Sequence, residues 1–459
     1  MDIRDSSGAS AENLLCQLRE EADQMSAYQR SADISSADEI SVESGTVDIA
    51  RWLFIAHADN PINPDLCQGG IINIRVRGEW AATLYDTACG EISALRDFCG
   101  EIKWENGWTI INRHFYEHDS LLLKLEEAEA FKAMPEPAPA VFNPGVRDTA
   151  PSVIRFTSPV PVTLEEPNVL LLDMAEYALD PPANSGAAVW RPREEILRLD
   201  NILRSELNWP ARSEALAQPW VEQDTSTPHV LKLRFCFESE IPVSGAELAL
   251  ENAAITRITL NGKNAGPVNG WYVDKCIGRV KLPEIKPGIN VLEASFPYGR
   301  RIDVEAMYLL GDFGVKVAGS ACTITAPVKS LGFGDITRQG LPFYGGNLTY
   351  HLEAETSKDR LSICASNYRG HLLKVKVDGN DYGPLVYSPY EMEIPAGKGK
   401  HRIDLVFFGS RINTFGQLHC VERDPAFWWG PNSWRTSGDN WSYEYQFWPQ
   451  GILKSPEIE

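Results

Sequence analysis

The stretch Ile258-Thr259-Leu260-Asn261-Gly262-Lys263-Asn264-Ala265-Gly266 returns 117 residues later, without a gap, as Val375-Lys376-Val377-Asp378-Gly379-Asn380-Asp381-Tyr382-Gly383. Each copy is a short β-like run entering Asn-Gly or Asp-Gly, the dipeptides that supply the positive φ values a two-residue hairpin needs. The parallel continues, with a changed loop length, into Lys286-Pro287-Gly288-Ile289-Asn290-Val291-Leu292 and Gly397-Lys398-Gly399-Lys400-His401-Arg402-Ile403-Asp404-Leu405, and an apolar strand follows in both. A period of 117 residues is too long for a solenoid unit and is the size of one β-sandwich. The expectation is a mainly β chain with tandem antiparallel sandwiches over 152–317 and 318–459.

Outward from the repeat, a helix is expected within the first sandwich over Arg193–Leu207, where Ile196, Leu199, Leu203 and Leu207 form one stripe and Pro210 stops it. Pro135-Glu136-Pro137-Ala138-Pro139 reads as a stiff linker, assigned to 134–151. Before it, short β-like runs at 51–55, 71–76, 80–85, 108–111 and 121–125 are separated by turn residues, so 46–133 is expected to be a small antiparallel β domain. Residues 1–45 are left as a helical remnant or linker: Leu14, Leu18, Ala22 and Met25 recur at helical spacing between Ser10 and Met25, followed by a polar stretch.

The formal charge of −20 repels phosphate backbones and anionic lipid surfaces, so neither nucleic acid nor a membrane is an expected partner. No apolar run is long enough to span a bilayer, and the first residues lack the basic and apolar regions of a signal peptide, which gives a cytoplasmic expectation. Nine cysteines without a C-x-x-C pair suit reduced thiols better than a disulfide framework or structural zinc. No cofactor or metal is expected. His114 and His118 would share one face of a strand about 13 Å apart, too far for one ion. Gly332-Phe333-Gly334-Asp335 lacks the spacing of a dinucleotide fingerprint, and neither a P-loop nor a nucleophile elbow occurs.

The repeat signature resembles the galactose-binding-like jelly roll that serves as the sugar-binding domain of β-galactosidase-type glycoside hydrolases. Tyr308-Leu309-Leu310-Gly311-Asp312-Phe313, Gln339-Gly340-Leu341-Pro342-Phe343-Tyr344-Gly345-Gly346-Asn347 and Asn413-Thr414-Phe415-Gly416-Gln417-Leu418-His419 are similar to the C-terminal region of large bacterial α-L-rhamnosidase-like glycosidases. That resemblance covers about Arg51 to Glu459. It implies a catalytic barrel and an amidotransferase-like domain N-terminal to such sandwiches. The family's catalytic carboxylates have no matching positions here, so the catalytic residues stay unknown.

Sugars are recognised by flat aromatic faces with planar polar side chains around them. The last forty residues are rich in both, which points to Trp429, Trp434 or Trp441 as a stacking platform and to Asn432, Arg435 and Asp439 as hydroxyl partners in the second sandwich. The bland alternative is that these tryptophans close the sandwich. Likewise Phe343-Tyr344-Gly345-Gly346-Asn347 is either a close approach to ligand or, better supported, a tight turn into a strand.

Three functions follow. The leading one is a non-catalytic carbohydrate-binding or accessory portion of a large α-L-rhamnosidase-like glycoside hydrolase. The second is a glycosidase using a carboxylate pair between domains, drawn from Asp274, Glu305, Asp312, Asp335, Asp424 and Asp439. The third is a scaffold that docks a glycoside hydrolase catalytic domain. It predicts a broad exposed apolar surface near the amino terminus, around Leu14–Met25 and Trp52–Ile55.

Overall fold

The computed structural model describes residues 39–42, 51–56, 69–86, 92–95, 101–116, 120–127, 153–180, 188–210, 225–387, 389–421, 439 and 441–459. The helix expected over Ser10–Met25 and the Pro135–Pro139 linker lie outside these residues. The chain is mainly β and divides into two compact units, Met1–Pro144 with Tyr387–Pro389, and Gly145–Val386 with Tyr390–Glu459.

In the first unit two four-stranded sheets share a core. One runs Glu39–Val42, Gly69–Arg77, Trp108–Tyr116, Ile102–Glu105; the other runs Arg51–Ala56, Ser120–Glu127, Trp80–Tyr85, Ile92–Ala94. Alternation decides which side faces in: Leu121, Leu123 and Leu125 are buried with Ile55, Ala82 and Leu84, and meet Ile74, Ile102, Ile111 and Phe115 of the other sheet. The strand Glu39–Val42 falls within the stretch read as remnant or linker, and it pairs in parallel with Asn73–Val76. His114 is exposed on the strand Trp108–Tyr116, while His118 is outside the described residues.

The second unit holds two larger cores. Around the first, a sheet of Asn168–Leu172, Met307–Gly311, Glu247–Glu251, Asp274–Lys281 and Val268–Tyr272 covers a second built on Met174–Asp180, His229–Ser239, Gly288–Tyr298 and Arg257–Leu260. Leu231, Leu233, Phe235 and Phe237 point inward from one long strand, and Leu292, Ala294, Phe296 and Tyr298 from its neighbour. The helix α1 spans Ile196–Glu206; residues 193–195, the start of the expected helix, belong instead to the strand Arg191–Glu195, which pairs with Met174–Tyr177. Ile196, Leu199 and Leu203 bury its apolar stripe. Its polar side is anchored by Arg204, 1% exposed, whose Nε donates to Asp200 Oδ2 at 3.0 Å while Tyr298 Oη donates to Asp200 Oδ1 at 2.7 Å.

The other core lies between the sheet Ser330–Leu331, Val160–Leu164, Leu348–Thr356, Gly399–Phe408, Leu372–Val377, Asn380–Leu385 and the sheet Glu391–Pro395, Arg360–Cys364, Glu457–Ile458. The chain interleaves between the two cores. Val160–Leu164 comes before the first core in sequence but pairs with Leu348–Tyr350 of the second, and Ala321–Thr325 comes after the first core's main strands but runs parallel to His229–Ser239.

Both repeat copies form the hairpin that their sequence calls for. Asn261 and Gly262 have φ of 51° and 76°, and Asp378 and Gly379 have 50° and 83°. The equivalence extends to side chains. Asn261 Oδ1 accepts from Val291 N at 2.9 Å and Asn261 Nδ2 donates to Asn290 Oδ1 at 2.8 Å; Asp378 Oδ1 accepts from Arg402 N at 2.9 Å and Asp378 Oδ2 lies 2.7 Å from His401 Nδ1. Asn290 and His401 each also bond a carbonyl four residues back, Lys286 O at 2.7 Å and Gly397 O at 2.6 Å. An amide pair in the first copy is thus an acid–histidine pair in the second.

Candidate functional site

A small cleft with a cavity volume of about 90 Å³ opens at the edge of the first core. Its walls come from four separated stretches: Leu171 and Asp173, Glu195 to Leu197, Glu305 to Tyr308, and Thr414 to Cys420 with Trp441. The last wall is a strap held by side chains. Asn413 Nδ2 donates to Trp448 O at 2.8 Å, Trp448 N donates to Asn413 Oδ1 at 3.0 Å, and Thr414 Oγ1 donates to Phe343 O at 2.8 Å. The strap is then closed on itself by Ser442 N to His419 O and a bridge between Cys420 and Trp441.

Buried ionisable groups form the cleft floor. Asp173 follows four apolar residues, Val169 to Leu172, on a strand that fills the core, so the backbone carries its carboxylate inside. Such a group persists only with partners. Tyr445 Oη donates to Asp173 Oδ1 at 2.6 Å, and His419 Nε2 lies 3.1 Å from Asp173 Oδ2. His419 Nδ1 donates to the carbonyl of Ser442 at 2.8 Å. Burial opposes protonation of His419, but the hydrogen bond and charge of Asp173, helped by Glu195, outweigh it and hold the imidazole above its ordinary 6.5. Both ring nitrogens are therefore committed to protein atoms.

Glu195 caps α1. Its Oε1 accepts from Leu197 N and its Oε2 from Arg198 N, both at 3.0 Å, satisfying donors that a helix start leaves open. Those bonds favour the carboxylate, yet burial together with the Asp173 charge pushes Glu195 up to about 7. Above the floor, Arg198 lies 4.5 Å over the Trp441 ring, His419 stacks on the same indole at 5.6 Å, and Tyr443 meets it edge-on at 4.3 Å. Arg198 is itself tied to Glu194, which also accepts from Tyr443 Oη at 3.0 Å. Phe415 and Tyr308, 5.0 Å apart, add apolar wall.

Of the residues singled out in the sequence, Trp441 lines this cleft and Asp439 is exposed nearby in sequence; Trp429, Asn432, Trp434 and Arg435 lie outside the described residues. Among the described residues, the acids proposed as catalytic do not converge. Glu305 lines the cleft, but Asp274 accepts from Cys276 N in an exposed hairpin, Asp312 is paired with Lys329, and Asp335 caps Thr337. Asp424 is outside the described residues. The carboxylates that do meet, Asp173 and Glu195, were not singled out. For Asp173 the signal was present, an acid closing an apolar run; for Glu195 it was weak, because glutamate is an uncommon cap.

The glycine-rich Phe343–Asn347 segment is occupied by packing. A Cβ on Gly346 would sit 2.0 Å from Glu166 Oε1, and one on Gly345 would sit 2.7 Å from Thr414 Oγ1. These glycines let the chain approach its own neighbours before the strand Leu348–Thr356. Elsewhere, Thr163 Oγ1, His351 and Asp404 follow the hydrogen-bond order of a hydrolytic triad, with 2.8 Å to His351 Nε2 and 2.7 Å from His351 Nδ1 to Asp404 Oδ1. An acyl-transfer site also needs N–H groups aimed at the developing oxyanion. The strands that carry these three residues use theirs to pair with one another, so the trio is a cross-strand polar ladder.

No protein-family model and no curated protein matches the chain. Among solved structures it is similar to a rhamnosidase from Novosphingobium sp. PP1Y, with 15% identity over 61% of this chain and 28% of that one, at a TM-score of 0.20. It is also similar to a GH2 β-galacturonidase from Eisenbergiella tayi, with 11% identity over 53% of this chain and 37% of that one, TM-score 0.20. An anti-sigma factor domain-containing protein from Clostridium clariflavum matches at 9% identity over 62% of this chain and 99% of that one, TM-score 0.15. The chain spans 28% and 37% of the two glycosidases' lengths. Likenesses at this level carry no argument about function.

Proposed function

We propose that the chain is a non-catalytic carbohydrate-binding protein, an accessory portion of an α-L-rhamnosidase-like glycoside hydrolase, and that the cleft around Trp441 holds the sugar. The observation that carries this reading is the division of labour in the cleft: an aromatic wall of Trp441, Phe415 and Tyr308 with Gln417 and Glu305 beside it, over a floor whose acids are already engaged. Pyranose C–H faces pack on such rings while hydroxyls bond amide and carboxylate groups. The segment leading into Trp441 would extend the site through Trp429, Asn432, Trp434, Arg435 and Asp439.

A glycosidase reading has one observation in its favour, a carboxyl near neutrality in a cleft beside a second acid. Against it, both oxygens of Glu195 face the backbone of α1 and both nitrogens of His419 face protein acceptors, which leaves neither poised toward a substrate. Calorimetric titration with a panel of neutral oligosaccharides separates the readings. Binding that Trp441→Ala weakens by about 1–3 kcal/mol, with no turnover of p-nitrophenyl rhamnoside or galactoside, supports the proposal. Turnover that Glu195→Gln abolishes would establish the glycosidase.

A further inference from the structure

The strap that walls the cleft has two halves, residues 413–420 and 441–448. Backbone bonds join them, Ser442 N to His419 O at 2.9 Å and Gln446 N to Leu418 O at 2.6 Å. The His419 ring joins them again and also ties them to the first core: Nδ1 is 2.8 Å from Ser442 O, and Nε2 is 3.1 Å from Asp173 Oδ2. Both partners can only accept. A backbone carbonyl has no proton to give, and the other oxygen of the Asp173 carboxylate already takes the Tyr445 hydroxyl at 2.6 Å. A neutral imidazole carries one N–H, so it can serve the other half of the strap or the core, while the imidazolium serves both. The nitrogen left without a proton would face an oxygen lone pair at a buried position, where a missing hydrogen bond is costly.

We propose that His419 is a proton-operated latch: with its ring charged the strap is closed on the first core, and with its ring neutral the strap loosens and the cleft loses its Trp441 wall. Trp441 follows the latch because its indole stacks on the His419 ring at 5.6 Å and its backbone bridges to Cys420, the next residue. The surrounding groups set when the proton leaves. Burial works against the charged ring, but the bond and charge of Asp173, then the charge of Glu195 and the Ser442 carbonyl, outweigh it and hold the ring charged past the ordinary 6.5. Glu305 and Tyr308 line the same cleft, Arg198, Glu194 and Tyr443 lie around the indole, and Arg193 and Cys322 lie beside Asp173 and Tyr445. Burial pushes Cys322 up to about 12 and Tyr445 well above 10, out of the range in which His419 releases its proton. Glu195 ionises near 7, and its negative charge then delays that release. The consequence for ligand rests on the carbohydrate reading: sugar affinity falls as pH rises and the wall is lost.

The test follows amide exchange in the full chain, corrected for intrinsic rates, from about pH 6 to about pH 9, at residues 413–420 and 441–448 with the strand Leu348–Thr356 of the other core as control. Wild-type strap amides should lose protection several-fold over that range while the control does not. Asp173→Asn tells a latch from simple support, because its amide can donate to a neutral imidazole nitrogen and still accept from Tyr445. Its strap should be less protected than wild type at the acid end and lose no more as pH rises. Glu195→Gln removes the charge that delays release, so its loss of protection should begin at lower pH. An NMR titration of wild-type His419 should place its transition with the loss of strap protection. The proposal fails if wild-type strap protection is flat, if Asp173→Asn keeps the wild-type pH dependence, or if His419 titrates apart from the strap. Calorimetry with neutral oligosaccharides at both ends of the range separates it from the carbohydrate reading. Affinity that falls with strap protection supports the latch, and affinity that ignores it overturns control of the cleft while the carbohydrate reading stands. Absence of binding at both ends overturns the carbohydrate reading, and the exchange result then decides the latch by itself.

Discussion

Replacing Glu195 by Gln should go from nearly neutral to clearly stabilising between mildly acidic and mildly alkaline pH. In the folded chain burial and Asp173 lift this carboxyl from its ordinary 4.5 to about 7. A raised carboxyl contributes its stability fully below the unfolded value near 4.5 and loses it progressively as pH rises to about 7, because the unfolded chain releases its proton first. An elevation of that size corresponds to about 3 kcal/mol of stability lost across the interval. Glutamine cannot ionise and escapes that loss, but it offers one acceptor oxygen where Glu195 offers two to Leu197 N and Arg198 N, which costs about 1 kcal/mol. Glu195→Gln should therefore be close to wild type in stability at pH 5, where linkage has already taken about 1 kcal/mol from the wild type, and more stable by about 2 kcal/mol at pH 8.5. His419, also raised and in part by Glu195, loses its contribution as pH climbs in the same direction, so the difference between the two proteins reports Glu195 together with the share of the His419 elevation that Glu195 supplies. A chain of several cores need not unfold in one step. The assay is accordingly hydrogen exchange at the amides of α1 from pH 5 to 8.5, corrected for intrinsic rates, with urea unfolding alongside. Wild-type and variant profiles that run parallel over that range would refute the claim that burial governs this carboxyl.

Asp200→Ala should destabilise the second unit by about 3–5 kcal/mol, since it leaves the Arg204 guanidinium buried without its main counter-charge; the urea midpoint reads it. Gly346→Ala should cost about 1–3 kcal/mol, because the new methyl meets Glu166, whose carboxylate is held by Arg411 at 2.7 Å, and thermal unfolding should show it. For the exposed Asp378–His401 pair, the acid is held below 3.8 by its bond to His401, and the imidazole above 6.5 by its bond to Asp378. The pair's contribution is complete between those values and fades on either side; an NMR titration should find His401 titrating above 6.5, and Asp378→Asn should bring it down.

The hairpins and sandwiches were legible because the information that specifies them is local. Asn261-Gly262 and Asp378-Gly379 need only their own φ preferences to turn, and Leu231 to Phe237 needs only its alternation to choose a buried face. The start of α1 was read three residues early because Arg193 to Glu195 carry charges that suit a helix, and their pairing with Met174 to Tyr177 is not written in that segment. The cleft was harder for a deeper version of the same reason. Its walls come from residues near 173, 195, 308, 419 and 441, and no local pattern states that these converge. What the sequence did offer was incongruity. Asp173 interrupts a run of core residues, and a carboxylate carried inside by its strand has to be answered from elsewhere; here His419 and Tyr445, some 250 residues away, answer it. The motif residues Tyr308 and Thr414 to His419, on which the glycosidase resemblance rests, form the wall that brings His419 to Asp173. That wall keeps a buried charge neutralised whether or not a sugar binds above it, so the motif by itself is no sign of chemistry. The exposed edges of Trp441, Phe415 and Gln417 are where a binding function and a purely architectural one part company, and substitutions there discriminate between them where changes at Asp173 or His419 would only loosen the strap.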